Sequence, residues 1–215
     1  MKNHAFTLAE VLITLGIIGV VAAMTIPSMI NKTNKQELQS QLKKSYSTLL
    51  NATNQLKADN GFNSFLTEYP KGIDSRTKFM SDLKPYLRAD FCKSNDECGI
   101  DGLASNYLTL NKNKYYLLGV SRISLHFQDG SIIRLSDSAQ DKFYIDINGY
   151  KRKPNRAGYD VFAFDLTSDG KIIPATSMCS ITSTGDRNGD GCTAYALSNK
   201  SPTGSGDYWN DFLPD

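Results

Sequence analysis

Residues 5–30 read AFTLAEVLITLGIIGVVAAMTIPSMI, and from Val11 to Ile30 the stretch holds no charged residue. That is about the 20 residues a helix needs to cross a bilayer. A secretory signal peptide, removed whole, is the competing reading. Against it, the apolar run is long for such a signal and no A-x-A site precedes a polar mature start. The polar stretch that follows also keeps a helical pattern. Glu10 lies inside the apolar run, after Phe6 and Leu8, instead of ahead of it. A carboxylate there is expensive and needs a partner. The positive end of the helix dipole would serve a lone helix at the water interface, but it does not explain a charge set within the run. Pro27 removes a backbone donor, so the helix is expected to kink or loosen there. Gly16 and Gly19 are small positions, open to close helix contact or to no special role.

This segment resembles the prepilin-type N-terminus shared by type IV pilins and type II secretion pseudopilins. The residues that carry the resemblance are a short basic leader, Met1-Lys2-Asn3-His4-Ala5, then Phe6-Thr7-Leu8-Ala9-Glu10, a long apolar helix and Pro27. The resemblance implies cleavage between Ala5 and Phe6 by a membrane prepilin peptidase, and N-methylation of the new Phe6 amine. Glu10 and Pro27 fall where the family has its glutamate and a helix-bending proline. Ala5 departs from the glycine that usually ends the leader, though alanine is also small. The resemblance covers residues 1–30 and says little about the rest. It further implies a cytoplasmic N-terminus, a single span in a bacterial inner membrane and an extracytoplasmic head. The partners it implies are other pilin or pseudopilin subunits, an inner-membrane assembly platform and membrane lipid. In a filament core with little water, Glu10 would meet the Phe6 amine of a neighbouring subunit. Lys2 before the span and Lys32 and Lys35 after it leave orientation undecided by charge alone.

Beyond the span, Leu38, Leu42, Tyr46, Leu49, Thr53 and Leu56 recur at three- and four-residue spacing. That is one stripe of an amphipathic helix, with Gly61 as its stop. The stripe is short for a coiled coil, so it is expected to pack on the chain's own head. The organisation is then a leader at 1–5, a span at 6–30, a helical continuation at 31–60 and a head at 61–215. Residues 75–87 read as a short helix interrupted near Pro85. From about residue 106 the apolar period becomes two. Strand candidates are 107–110, 115–118, 121–127, 131–135, 143–147, 159–166 and 171–173, with turns at Asp129-Gly130, Asn148-Gly149 and Asp169-Gly170. The expected fold is α+β: a long helix laid over an antiparallel meander of roughly four to six strands. The pilin resemblance implies the same architecture.

The chain has 215 residues, 40% apolar and 21% charged, enough for one head domain with a core. A net charge of +2 gives no clear nucleic-acid signal. The four cysteines form two local pairs, Cys92/Cys98 and Cys179/Cys192. They lack C-x-x-C spacing or nearby histidines for zinc, and they fit two disulfides in an exported head, with three connectivities formally open. Within the Ser/Thr/Gly-rich last forty residues, Asp186, Asn188 and Asp190 stand as in the first half of a calcium loop, with Gly191 for the turn. The second half fails, because Leu197 stands where a glutamate belongs; backbone carbonyls, Asp207 or Asp211 would have to complete the set. Calcium is thus a candidate ligand, a polar turn held by the disulfide is the alternative, and no other cofactor is required. Tyr208-Trp209 and Phe212-Leu213 are expected to tuck back onto the head, the alternative being contact with a partner.

Three functions follow. The first is a structural subunit, a minor pilin or pseudopilin of a type IV pilus or type II secretion filament. The second is a membrane-anchored binding or adhesion module that does not assemble. The third, an exported enzyme, has no support: outside the leader there is one histidine, His126, and no nucleotide-binding loop.

Overall fold

The computed structural model describes residues 7–61, 64–70, 73–93, 97, 107–115, 123–136 and 142–213. Helix α1 runs from Leu8 to Asn60, 53 residues, or about 80 Å at 1.5 Å per residue. It stops where expected: Gly61 takes a left-handed conformation (φ 64°) and returns its N–H to the Lys57 carbonyl. Only glycine adopts that geometry without a Cβ penalty. Pro27 lies within the continuous helix.

The second half of α1 is amphipathic in fact as in pattern. Leu38, Leu42, Leu49, Ala52, Thr53 and Leu56 are buried, and Tyr46 stacks on Phe164 at 5.2 Å. The polar member of the stripe, Thr53, satisfies its hydroxyl on the Leu49 carbonyl, 3.0 Å away. Leu42 and Leu49 are fully buried, so truncating either to alanine should cost about 2–5 kcal/mol. Lys35 opens the buried face and donates to the Leu213 carbonyl at 3.0 Å.

Two helices, α2 (Phe65–Glu68) and α3 (Ile73–Leu87), follow. The expected break at Pro85 does not occur. The proline sits in the last turn of α3, and both it and Ser81, whose carbonyl it leaves without an amide, face solvent. Water can serve that carbonyl, so the helix continues to Leu87.

Six strands then form one antiparallel sheet in sequence order: β1 (Asp90–Cys92), β2 (Ser124–His126), β3 (Ile132–Leu135), β4 (Lys142–Asp146), β5 (Val161–Leu166) and β6 (Ile172–Pro174). The meander matches the expected α+β fold. The turns at Gly130 (φ 90°) and Gly149 (φ 79°) pack against each other so closely that a Cβ on Gly149 would lie 2.1 Å from the Gly130 carbonyl. Residues 107–110 are not a strand of this sheet; Leu108 only bridges Lys114 and Arg156. The expected strand at 115–118 falls mostly outside the described residues.

The sheet is buried on both faces, where one covered face was expected. Leu125, Ile133, Ile145 and Phe162 stand in register and face the helices with Leu135, Phe143 and Phe164 in the main core. The opposite face presents Ser124, Arg134, Tyr144, Asp146 and Ala163, all buried. Irregular chain brings Tyr107, Tyr115, Ala157 and Ala175 against it. Ser124, Tyr144 and Asp146 can be buried there because each is hydrogen-bonded, as described below.

The last forty residues are also more ordered than a loop. They contain a 3-10 turn (Asp190–Cys192), helix α4 (Thr193–Ser198) and a π-helical turn (Tyr208–Phe212). Tyr208, Trp209, Phe212 and Leu213 are buried in the main core, which is the tucked-back arrangement expected of them. The Trp209 indole donates to the Ala196 carbonyl at 2.9 Å.

Candidate functional site

The N-terminal half of α1 has no cover. Residues 8–30 are exposed, with Ala22 half-exposed, and the apolar side chains among them stand open, from Val11 at 45% to Leu8 at 80%. Twenty-three such residues span about 35 Å, slightly more than the hydrocarbon core of a bilayer at about 30 Å. Polar groups within this stretch are satisfied locally. Thr14 donates its hydroxyl to the Glu10 and Val11 carbonyls, both 2.9 Å, and Thr25 donates to Val21 at 3.0 Å. Internal bonding of this kind is what lipid demands. A Cβ at Gly16 or Gly19 would meet nothing within 4 Å, so neither is small to fit the chain's own packing.

Glu10 is fixed by Thr7. The Thr7 N–H and hydroxyl both donate to Glu10 Oε2 at 2.8 Å, and the Glu10 N–H donates to Thr7 Oγ1 at 3.3 Å. This reciprocal capping box satisfies two helix-end donors. Sequence reading missed Thr7 in this role, although its signal, Thr-x-x-Glu ahead of an apolar run, is present. Both bonds to the carboxylate fall on Oε2, and among the described residues none reaches Oε1. Glu10 can therefore cap its own helix and still offer an oxygen to a cation from outside.

At the other end of the chain, Cys179 and Cys192 form a disulfide, Cα atoms 4.9 Å apart. Cys92 is also disulfide-bonded; Cys98, its expected partner, lies outside the described residues. The three candidate calcium ligands do not converge. Asn188 is fully buried and ties the loop to itself, accepting from the Ser180 N–H (3.0 Å) and donating to the Ser180 and Ser183 carbonyls (2.6 and 2.9 Å). Asp190 turns away toward the sheet and accepts from the hydroxyls of Tyr115 and, at a long 3.4 Å, Tyr144. Asp186 is exposed. Asp207 and Asp211, the alternative donors, bond elsewhere: Asp207 accepts from Asn199 at 3.0 Å, and Asp211 accepts from the Asp207 N–H at 2.6 Å. Among the described residues, no group of three or more His, Cys, Asp or Glu side chains is placed to hold a metal. As placed here the three side chains do not form a calcium site: Asn188 and Asp190 are spent on hydrogen bonds, and Asp186 stands apart and exposed. Gly191 has a packing reason instead, since a Cβ there would lie 2.1 Å from the Ser177 carbonyl.

The chain matches one protein family, described as the prokaryotic N-terminal methylation motif, over residues 1–26. The chain carries a prepilin-type N-terminal segment. No curated protein and no solved structure matches it. The prepilin segment thus comprises the apolar, uncovered half of α1 and its Thr7–Glu10 cap. Its expected cleavage point, Ala5–Phe6, lies outside the described residues, and Thr7, the cap residue, directly follows Phe6 in the sequence.

Beyond the prepilin segment, the second face of the sheet holds a buried polar cluster that the sequence did not single out. Asp146 accepts from the Tyr107 hydroxyl at 2.8 Å and the Gly149 N–H at 2.7 Å, and the Arg134 guanidinium lies 5.3 Å from the Tyr107 ring. Asp160 accepts from the Asn155 N–H at 2.9 Å and the Arg156 N–H at 2.5 Å. Burial pushes the Asp146 carboxyl up to about 6 and that of Asp160 up to about 7. On the same face Ser124 and His126 share a hydrogen bond at 2.9 Å. Burial, aided by Arg134, holds His126 down to about 4. Ser124 is buried and offers no accessible nucleophile. These groups pin irregular chain to the sheet.

Proposed function

We propose that this chain is a structural subunit of a type IV pilus or type II secretion filament, processed by a prepilin peptidase and assembled through α1. The observation that carries the reading is one helix with two different surfaces. Residues 1–26 match the methylation motif, residues 8–30 leave an apolar cylinder uncovered, and burial against the head begins only at Lys35. Such a helix suits storage in a bilayer and later packing in a filament core, with the head exposed throughout. In this reading the peptidase cuts between Ala5 and Phe6, the Phe6 amine is methylated, and Glu10 directs Oε1 to the Phe6 amine of a neighbouring subunit. The N-terminus is cytoplasmic and the disulfide-bonded head lies outside the inner membrane. Irregular, disulfide-tied segments around the sheet lean toward a minor pilin or pseudopilin.

The alternative, an anchored binding module, gains one point from the structure. The capping box gives Glu10 a use even in a helix that never assembles, so the presence of Glu10 does not by itself separate the two functions. Processing does. Mass spectrometry of the protein from a producing cell should find a chain that begins with N-methylated Phe6. A chain that keeps Met1, or an unmethylated start elsewhere, would refute the proposal.

A further inference from the structure

We propose that the turn Tyr150–Lys153 is a docking surface for anionic phospholipid headgroups while the subunit is held in the membrane. This rests on the reading that residues 8–30 lie in a bilayer. The turn follows β4 at the base of the head. Its height is set by Arg152, whose Nη1 lies 3.6 Å from Glu37 Oε1 on α1. Glu37 is seven residues past Ile30, the last residue of the apolar run, so the turn stands about 10 Å beyond the end of the span. That is about one Debye length at 0.1 M salt, and the headgroup layer itself occupies part of the gap. Lys151, Arg152 and Lys153 are consecutive and all exposed. The nearby carboxylates are already engaged: Glu37 faces Arg152, and Asp129 of the adjoining turn holds Lys44 at 2.8 Å. Among the described residues no ion pair reaches Lys151 or Lys153. These two juxtamembrane cations, Lys151 and Lys153, on a turn held at this height by the Arg152–Glu37 pair, fit anionic lipid by charge and by position. The Lys57–Asp169 contact shows where the opposite end of the head lies: there Lys57 meets the β5–β6 turn, twenty residues further along the helix.

The test uses the full chain in nanodiscs of phosphatidylcholine alone or mixed with phosphatidylglycerol, read by hydrogen–deuterium exchange. With phosphatidylglycerol, exchange over residues 149–153 should slow several-fold, and raised salt should reverse the effect. K151E/K153E should abolish the slowing and K151R/K153R should keep it. Equal exchange in both lipids, with residues 8–30 protected, would overturn the proposal while leaving membrane insertion intact. Slowing that is independent of lipid charge would point to a second copy of the chain and would also overturn it. Loss of protection over residues 8–30 would refute the insertion reading itself.

Discussion

Replacing Glu10 by glutamine separates its two duties. Glutamine at this position of a capping box still accepts from the Thr7 N–H and hydroxyl, so the helix start survives Glu10→Gln. The charge does not. If Glu10 pairs with a neighbouring Phe6 amine in a dry filament core, removing one partner costs about 3–5 kcal/mol, the penalty for an uncompensated buried charge. At about 1.4 kcal/mol per decade, that lowers incorporation by roughly two to three and a half orders of magnitude. Thr7→Ala is the converse: it keeps the carboxylate and loses the Thr7 hydroxyl's two bonds to Glu10, a capping loss of about 0.5–2 kcal/mol. The assay compares the membrane pool with sheared filaments in a cell that supplies the assembly machinery, by immunoblot. Glu10→Gln should reach the membrane at parental level and be missing from filaments, whereas Thr7→Ala should assemble at reduced level. Parental incorporation of Glu10→Gln would refute the charge-pair reasoning, and equal loss in both variants would assign Glu10 to the cap alone.

Opening the Cys179–Cys192 link by a double serine substitution frees a loop whose ends are 13 positions apart in sequence. It should destabilise the head by about 3 kcal/mol on loop-closure grounds, read as a lower urea midpoint; an unchanged midpoint would contradict the role given to the disulfide. Asn188→Ala removes three hydrogen bonds at about 1 kcal/mol each. Millimolar calcium should leave the melting of the parent unchanged, and a calcium-induced rise in melting temperature would restore the motif as a metal site. For pH, raised carboxyls take up protons in the folded state that the unfolded chain releases, so Asp146 and Asp160 contribute stability that is lost as pH rises from about 4 to about 7. The depressed His126 acts in the opposite sense, adding stability as pH rises from about 4 to 6.5. His126→Gln should therefore expose the carboxylate trend, with the Trp209 fluorescence melt of the detergent-solubilised variant higher at pH 5 than at pH 7.5; the reverse order would refute it.

Periodic features were legible in the sequence. The stripe from Leu38 to Leu56 has helical spacing, and Gly61, Asp129-Gly130, Asn148-Gly149 and Asp169-Gly170 mark the places where the backbone must turn. What escaped had no period or was decided by tertiary contact. Asp90–Cys92 is three residues of edge strand, too short to alternate. Pro85 looked like a break because the pattern does not say which carbonyls water can reach. The second face of the sheet was missed because its cover comes from distant irregular segments around Tyr107, Ala157 and Asp190. The same distance explains the calcium motif: nothing near Asp190 in sequence announces that Tyr115 and Tyr144 claim its oxygens.

The Lys35–Leu213 bond has a practical consequence for anyone modifying this protein. It fastens the C-terminal turn low on the long helix, at the end of the head nearer the uncovered residues 8–30. If the subunit is held in a bilayer as proposed, a fluorescent protein or epitope appended beyond Leu213 would start at that end and be crowded by the membrane. The β5–β6 turn lies at the far end of the head, where Ser168 is exposed while Gly170 is buried against Phe65; a display peptide placed at Ser168 leaves the base free.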